Sequence, residues 1–174
     1  MSISPTARFH RMTIESPLGP ITLVGDEKHL HAIHLIEPTS LDALSTSPSR
    51  PLSQAVEQLG AYFAGTSMDF DLDLLAQGTS FQHQVWDALG TIPFGTTTNY
   101  GSIAAMIGRP RAVRAVGLAI GANPLPIVVP CHRVIGANGS LTGYASGLEH
   151  KRFLLDHEQR VLHDHRSPRE RPAH

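Results

Sequence analysis

One cysteine occurs in 174 residues, at position 131. A lone thiol excludes an internal disulfide and a cysteine-rich zinc site. It also makes a reducing cytoplasm the natural compartment. No apolar run approaches the roughly 20 residues that cross a bilayer, so no membrane partner is expected. The opening segment MSISPTARFHRM lacks the apolar stretch of a secretory signal. The 15 glycines form no phosphate-cradling loop, and there is no internal repeat. Net charge is nearly absent, at −1. That value hides an asymmetry: 4 Lys/Arg against 9 Asp/Glu up to Gly78, then 10 against 6. A basic second half points to an anionic partner there. The terminal HRSPRERPAH supplies three of those arginines, so charge alone decides little.

What is present fits a globular chain with a core: 41% hydrophobic residues and a mean hydropathy of −0.09. The length suits one domain or two small lobes. RMTIE, PITLVG and LHAIHLI, separated by SPLG and GDEKH, predict a small antiparallel meander over 10–36. Residues 38–51 are rich in Ser, Thr and Pro and read as a loop. Leu52, Val56, Leu59 and Phe63 recur at helical spacing, with Gly65 to end the helix. FDLDL alternates as a half-buried strand would. In the second half, Thr79 and Gln82 have capping-box spacing ahead of a Phe81, Val85, Leu89 stripe with Trp86 beside it. A helix is expected over about 101–107. Another is expected from Pro110, a residue suited to a first helical position. The Gly-containing turn between them gives a helix-turn-helix outline. IVV reads as a strand, GANG as hairpin-turn chemistry, and Leu148, Leu155 and Leu162 as one stripe of a last helix. The fold class is therefore α+β: a small antiparallel-sheet and helix lobe over 1–77, then a mainly helical lobe over 79–162. Residues 163–174 read as a flexible tail.

The single thiol stands in IVVPCHRVI, after a proline and before a histidine. A free cysteine is only a few per cent thiolate at neutral pH. A neighbouring imidazole can take its proton, and a third group is then needed to fix that imidazole's tautomer. Adjacency in sequence does not establish contact, because successive strand residues point oppositely. Pro130 can end the strand and let Cys131 and His132 converge in a turn. Glu158, in LLDHEQ, is a candidate carboxylate. Taken alone, a lone cysteine is most often a small buried hydrophobe, so this chemistry does not settle the matter. His29, His31 and His34 in HLHAIH raise metal binding. His29 and His31 would share a face, but no carboxylate or thiol completes the set, so no metal is expected.

The wider pattern resembles the O6-alkylguanine-DNA alkyltransferases, also called methylated-DNA–protein-cysteine methyltransferases. PCHRVIGANGSLTGYASGLEHKRFLLDHE is similar to that family's active-site segment, and FQHQVWDALGTIPFGTTTNYGSIAAMIGRPRAVRAVGLAIGANPLPIVV continues the match. The likeness is strong over about 79–160 and weaker over the first lobe, where SPLGPITL and AVEQLGAYFAG carry it. It implies a ribonuclease-H-like first lobe and direct repair of O6-alkylguanine, and of O4-alkylthymine, in duplex DNA. The enzyme would be a stoichiometric methylated-DNA–protein-cysteine S-methyltransferase that acts as a monomer and needs no cofactor or obligate protein partner. By position, Cys131 would be the nucleophile and alkyl acceptor, and His132 would deprotonate it through a bridging water. Glu158 would orient the imidazole. Asn123 would tie the helix-turn-helix to the active-site turn, and Tyr100 would assist the leaving guanine. Backbone groups at Cys131, Val134 and Ala145 would read the guanine edge. Tyr144 would line the pocket, and Lys151 would assist proton transfer.

On the DNA side, Arg114 would fill the gap left by a base flipped out through the minor groove. Ala112, Ala115 and Gly117 around it are small and allow close approach of the backbone. Extrusion is required because a duplex hides the guanine O6 inside the stack. Some relatives bind zinc in the first lobe, but the cysteines for such a site are absent here. Ala145 and Ser146 stand where relatives often carry serine or glycine. Rival readings are a non-catalytic module that binds alkylated DNA, a helix-turn-helix regulator and a thiol hydrolase. Modules of the first kind lack the cysteine that is present here.

Overall fold

The computed structural model describes residues 8–38 and 40–166. The expectations for the first seven residues and for the tail beyond 166 lie outside them. Three strands, β1 (His10–Ile14), β2 (Ile21–Gly25) and β3 (Leu30–His34), form an antiparallel sheet in the order β1-β2-β3. This is the expected meander. Its register pairs Met12 with Leu23 and Leu23 with Ile33, with an irregularity at Val24/Gly25. The central strand β2 is buried throughout.

Helix α1 (Arg50–Phe63) packs on this sheet. Pro51 sits in its first turn, where a missing N–H costs nothing. Its fully buried face is Leu52, Ala55, Leu59 and Tyr62, with Val56 and Phe63 on the flank. FDLDL does not form a strand. Only Leu74 bridges to Leu30, in parallel. The Gln58 side chain takes both backbone groups of Asp71, at 2.7 and 2.8 Å. A side chain of α1 thus satisfies what a neighbouring strand would have satisfied.

The second half contains α2 (Ser80–Gly90), β4 (Thr98–Asn99), α3 (Tyr100–Met106), α4 (Val113–Gly121), β5 (Val134–Ile135) and α5 (Leu148–Arg166). The capping box forms as expected: the Thr79 hydroxyl accepts from the Gln82 N–H and the Gln82 side chain accepts from the Thr79 N–H. The Trp86 indole N–H donates to the Ala119 carbonyl at 2.9 Å, pinning α2 to α4. Pro110 does not begin α4. It occupies a tight turn closed by the Ala112 N–H on the Arg109 carbonyl at 2.8 Å, and Ala112 caps the helix instead. Proline at the second position of such a turn has its φ preset. Gly108, with φ +72°, ends α3 just before this turn.

IVV is not a strand either. Ile127 has φ +74°, and the chain folds tightly enough for the Val129 N–H to reach the Leu125 carbonyl at 2.8 Å. A β-branched residue at positive φ is strained; here its side chain is buried in the first core. GANG forms a turn, but no strand follows it, because β5 pairs with β4 in parallel. α5 extends past the expected end at Leu162 to Arg166, so His163 and His165 are helical. Its buried face is Lys151, Leu154, His157, Glu158 and Val161, while Leu148 is exposed.

Two hydrophobic clusters result. One joins the sheet and α1 to Leu125, Ile127 and Leu154 from the second half. The other joins α2, α3 and α4 to Cys131 and Val134. The cap of α2 gives a direct stability test. Thr79→Ala is expected to cost about 1 kcal/mol, lowering the melting temperature by roughly 2–4 °C in thermal unfolding.

Candidate active site

Pro130 leads into a single 3-10 turn, Cys131–Arg133. Three residues per turn point successive side chains in different directions, so three neighbours in sequence take three environments. Cys131 opens on a cavity of about 290 Å³ that Asn123, Pro126, Tyr144 and Ala145 also line. His132 is fully buried and turns its Nε2 to Glu158 Oε1 at 2.7 Å. Arg133 reaches the same carboxylate, with Nε at 3.0 Å from Oε2 and Nη2 at 2.9 Å from Oε1. Its Nη1 donates to the Ile92 carbonyl at 2.6 Å, and the guanidinium lies over the Phe94 ring.

Glu158 has no solvent exposure. It also accepts from the Tyr62 hydroxyl at 3.0 Å and from the Gly95 N–H at 2.8 Å. Burial alone would raise its pKa, but the hydrogen bonds from His132 and Arg133 and the Arg133 charge outweigh that and bring it to about 2. Gly95 must remain glycine: it has φ +70°, and a Cβ there would collide with Leu162. Burial lowers the His132 pKa against the opposing pull of Glu158. The imidazole is therefore neutral at pH 7. Against a carboxylate its proton lies on Nε2, which leaves a lone pair on Nδ1. That Nδ1 is buried and has no partner.

Burial pushes the Cys131 thiol pKa up, while Asn123, the Lys151 ammonium and the Tyr144 hydroxyl oppose it. Asn123 holds the turn from the other side: its Nδ2 donates to the Val129 carbonyl at 2.9 Å and its Oδ1 accepts from the Leu125 N–H at 2.9 Å. Lys151 is fully buried and donates to the Thr142 carbonyl at 2.7 Å. Burial lowers its pKa. Tyr100 donates to the same carbonyl at 3.1 Å. Two residues expected to serve proton transfer thus meet on one backbone atom.

The structure places Cys131, Asn123, Tyr144 and Ala145 around the cavity and stacks His132 and Glu158 behind them. Val134 is fully buried in β5 and does not line the cavity. Arg114 and Ala115 lie on the exposed face of α4, Ala112 is half-buried at its cap, and Gly117 lies against the Tyr100 ring. Arg133, Tyr62 and Gly95 were not picked out from the sequence. Arg133 adjoins the thiol motif, but no spacing rule connects it to Glu158.

A second polar cluster lies at the β2–β3 turn. The ligand atoms of Asp26, His29 and His31 lie within 4.8 Å of one another. Asp26 is the carboxylate that strand spacing did not reveal. It accepts from His31 Nε2 at 2.9 Å and from the N–H groups of Lys28 and His29. Burial would raise its pKa, but these bonds bring it down to about 2.

The DNA-binding domain of 6-O-methylguanine DNA methyltransferase matches residues 80–160, and that family's ribonuclease-like domain matches residues 9–76. The chain belongs to the 6-O-methylguanine DNA methyltransferase family. The methylated-DNA–protein-cysteine methyltransferase of Mycobacterium bovis is 51% identical over 153 residues, 87% of this chain and 93% of its own. That of Methanosarcina acetivorans is 52% identical over 144 residues, covering 81% and 92%. Among solved structures, Mycobacterium tuberculosis OGT in complex with DNA superposes with a TM-score of 0.81 at 51% identity, over 87% of this chain and 94% of that one. An O6-methylguanine DNA methyltransferase from Methanococcus jannaschii gives 0.63 at 30% identity, over 85% and 93%. The α+β class agrees with these methyltransferase structures.

The carboxylate of this methyltransferase has a pH signature. Its folded pKa is depressed, so its stabilisation is fully present above the ordinary value of 4.5 and lost as pH falls toward 2. The loss is roughly 3 kcal/mol. Urea unfolding at stepped pH should show this extra acid loss in the natural chain and not in Glu158→Gln. Equal acid slopes in the two proteins would contradict it.

Proposed function

We propose that the chain repairs duplex DNA by transferring the alkyl group of O6-alkylguanine, and of O4-alkylthymine, irreversibly to Cys131. The observation that carries this reading is a buried His132–Glu158 pair behind a cysteine that opens on a cavity. Among the described residues, no helix is long and apolar enough to cross a membrane. A cytoplasmic monomer is the form we expect.

The reaction follows from the site. The lone pair on His132 Nδ1 takes the thiol proton, through a bridging water, and Glu158 stabilises the imidazolium that forms. The sulfur attacks the alkyl carbon in line. The S–C bond forms as the C–O6 bond breaks, and the electron pair leaves with guanine, which takes up a proton. Tyr100 and Lys151 are the residues we assign to supply it, once released from the Thr142 carbonyl that both now bond. Asn123 and Tyr144 hold the sulfur's surroundings, and the backbone at Cys131 and Ala145, which line the cavity, reads the guanine edge. The product is a thioether, which cellular thiols do not reduce, so each chain reacts once.

The lesion reaches the cavity by base flipping through the minor groove. Arg114 fills the vacated stack, and the small residues Ala112, Ala115 and Gly117 let α4 approach closely. Unstacking costs a few kcal/mol, and an inserted side chain offsets part of it. Mycobacterium tuberculosis OGT has been crystallised with DNA, which supports a duplex partner.

Incubation with an oligonucleotide carrying O6-methylguanine should add one methyl group to the intact mass, mapped to Cys131 and absent in Cys131→Ala. Repair well beyond one equivalent would contradict single turnover. Arg114→Ala should slow transfer from the duplex at least about tenfold, equal to about 1.4 kcal/mol of lost support for the flipped state. Its reaction with free O6-benzylguanine should be preserved. Equal losses on both substrates would remove Arg114 from the flipping step.

A further inference from the structure

The first lobe sends one hydroxyl to the buried carboxylate behind the thiol. Tyr62 lies in the last turn of α1, is buried, and packs its ring among Phe63, Phe70, Phe94 and His157. A phenylalanine would fill that cluster equally well. The hydroxyl adds a polar group that burial penalises unless it is bonded. Its partner is Glu158 Oε1 at 3.0 Å. The same oxygen receives His132 Nε2 at 2.7 Å and Arg133 Nη2 at 2.9 Å. Burial and the Glu158 charge push the Tyr62 pKa up, so the hydroxyl keeps its proton and donates it to the carboxylate. Two bonds fasten the end of α1 to α5. His157 Nε2 donates to the Tyr62 carbonyl at 2.8 Å, and His165 Nε2 to the Gly65 carbonyl at 3.0 Å. The hydroxyl is thus held in place by the helix that carries Glu158.

A carboxylate beside an imidazole pulls it toward the imidazolium, which has no lone pair for the thiol proton. A further donor on Oε1 draws off part of that pull. The other charged or titratable groups around the pair are Arg133 in the turn, Lys151 on α5, and the Cys131 thiol and Tyr144 hydroxyl at the cavity. The Arg133 and Lys151 charges oppose protonation of His132, and Glu158 favours it. Tyr62 acts on the one group that favours it.

We propose that Tyr62 is a positioning residue for alkyl transfer: its hydroxyl fixes Glu158 and keeps His132 unprotonated, ready for the thiol proton. The proposal rests on the repair reading above and deepens it. The first lobe takes part in the chemistry through one side chain.

Tyr62→Phe keeps the ring and removes only the hydroxyl. Single-turnover methyl transfer from an O6-methylguanine oligonucleotide is followed in the variant and the natural chain between about pH 5 and about pH 8. His132 becomes more basic without the hydroxyl, so the variant-to-natural rate ratio should fall at least about threefold as the pH is lowered, a shift of about half a pH unit in the acid limb. The same fall is expected on free O6-benzylguanine, because the hydroxyl acts on the thiol's base and not on DNA. A packing defect would lower the rate by one factor at every pH. A ratio that does not change with pH overturns the proposal, and so does a fall confined to the duplex. Nitrogen-15 NMR titration of the His132 ring reads the same property without turnover: it should titrate at higher pH in Tyr62→Phe, and an equal or lower value overturns the proposal. A natural chain that transfers no methyl group overturns the repair reading itself, while the ring titration still decides whether Tyr62 governs His132.

Discussion

A carboxylate with no water around it must find its hydrogen bonds and its counter-charge inside the protein. Glu158 finds them in Arg133, His132, Tyr62 and Gly95. These partners come from three separate stretches of chain, the Cys131–Arg133 turn, α1 and the loop after α2, and α5 carries the carboxylate itself. Satisfying one carboxylate therefore sets the position of the turn that holds the thiol. Arg133 carries the counter-charge, which leaves the imidazole of His132 free to remain neutral.

The same buried group joins the two halves of the molecule. Tyr62 belongs to α1 in the first lobe, with its ring against Phe63, Phe70 and Phe94. His157, one residue before Glu158, bonds the Tyr62 carbonyl at 2.8 Å. Leu125, Ile127 and Leu154 are buried in the first lobe's core. The strained backbone at Ile127 is held by that burial, and it stands four residues before the cysteine. The first lobe is thus part of the frame of the site as well as a neighbour to it.

Much of this was legible in the sequence where one local rule governs. The meander follows from alternation around SPLG and GDEKH, and α2 from its capping box. The thiol site follows from the resemblance carried by PCHRVIGANGSLTGY. Readings failed where tertiary partners replaced local ones. FDLDL has the alternation of a strand, yet Gln58 takes its backbone bonds. IVV has strand composition, yet Ile127 turns left-handed. The leucine stripe of α5 misled because its buried face carries Lys151, His157 and Glu158, which a hydrophobic period counts as solvent-facing. Arg133 and Tyr62 escaped because their partner lies 25 and 96 residues away.

The account turns on one protonation state: His132 neutral, with its proton on Nε2 toward Glu158 and a lone pair on Nδ1. Nitrogen-15 NMR of the histidine ring in the unreacted protein at neutral pH reads this directly. The account predicts a protonated Nε2 and a bare Nδ1. An imidazolium, or a neutral ring carrying its proton on Nδ1, would contradict it, because neither form has an acceptor for the thiol proton on the nitrogen that Glu158 leaves free.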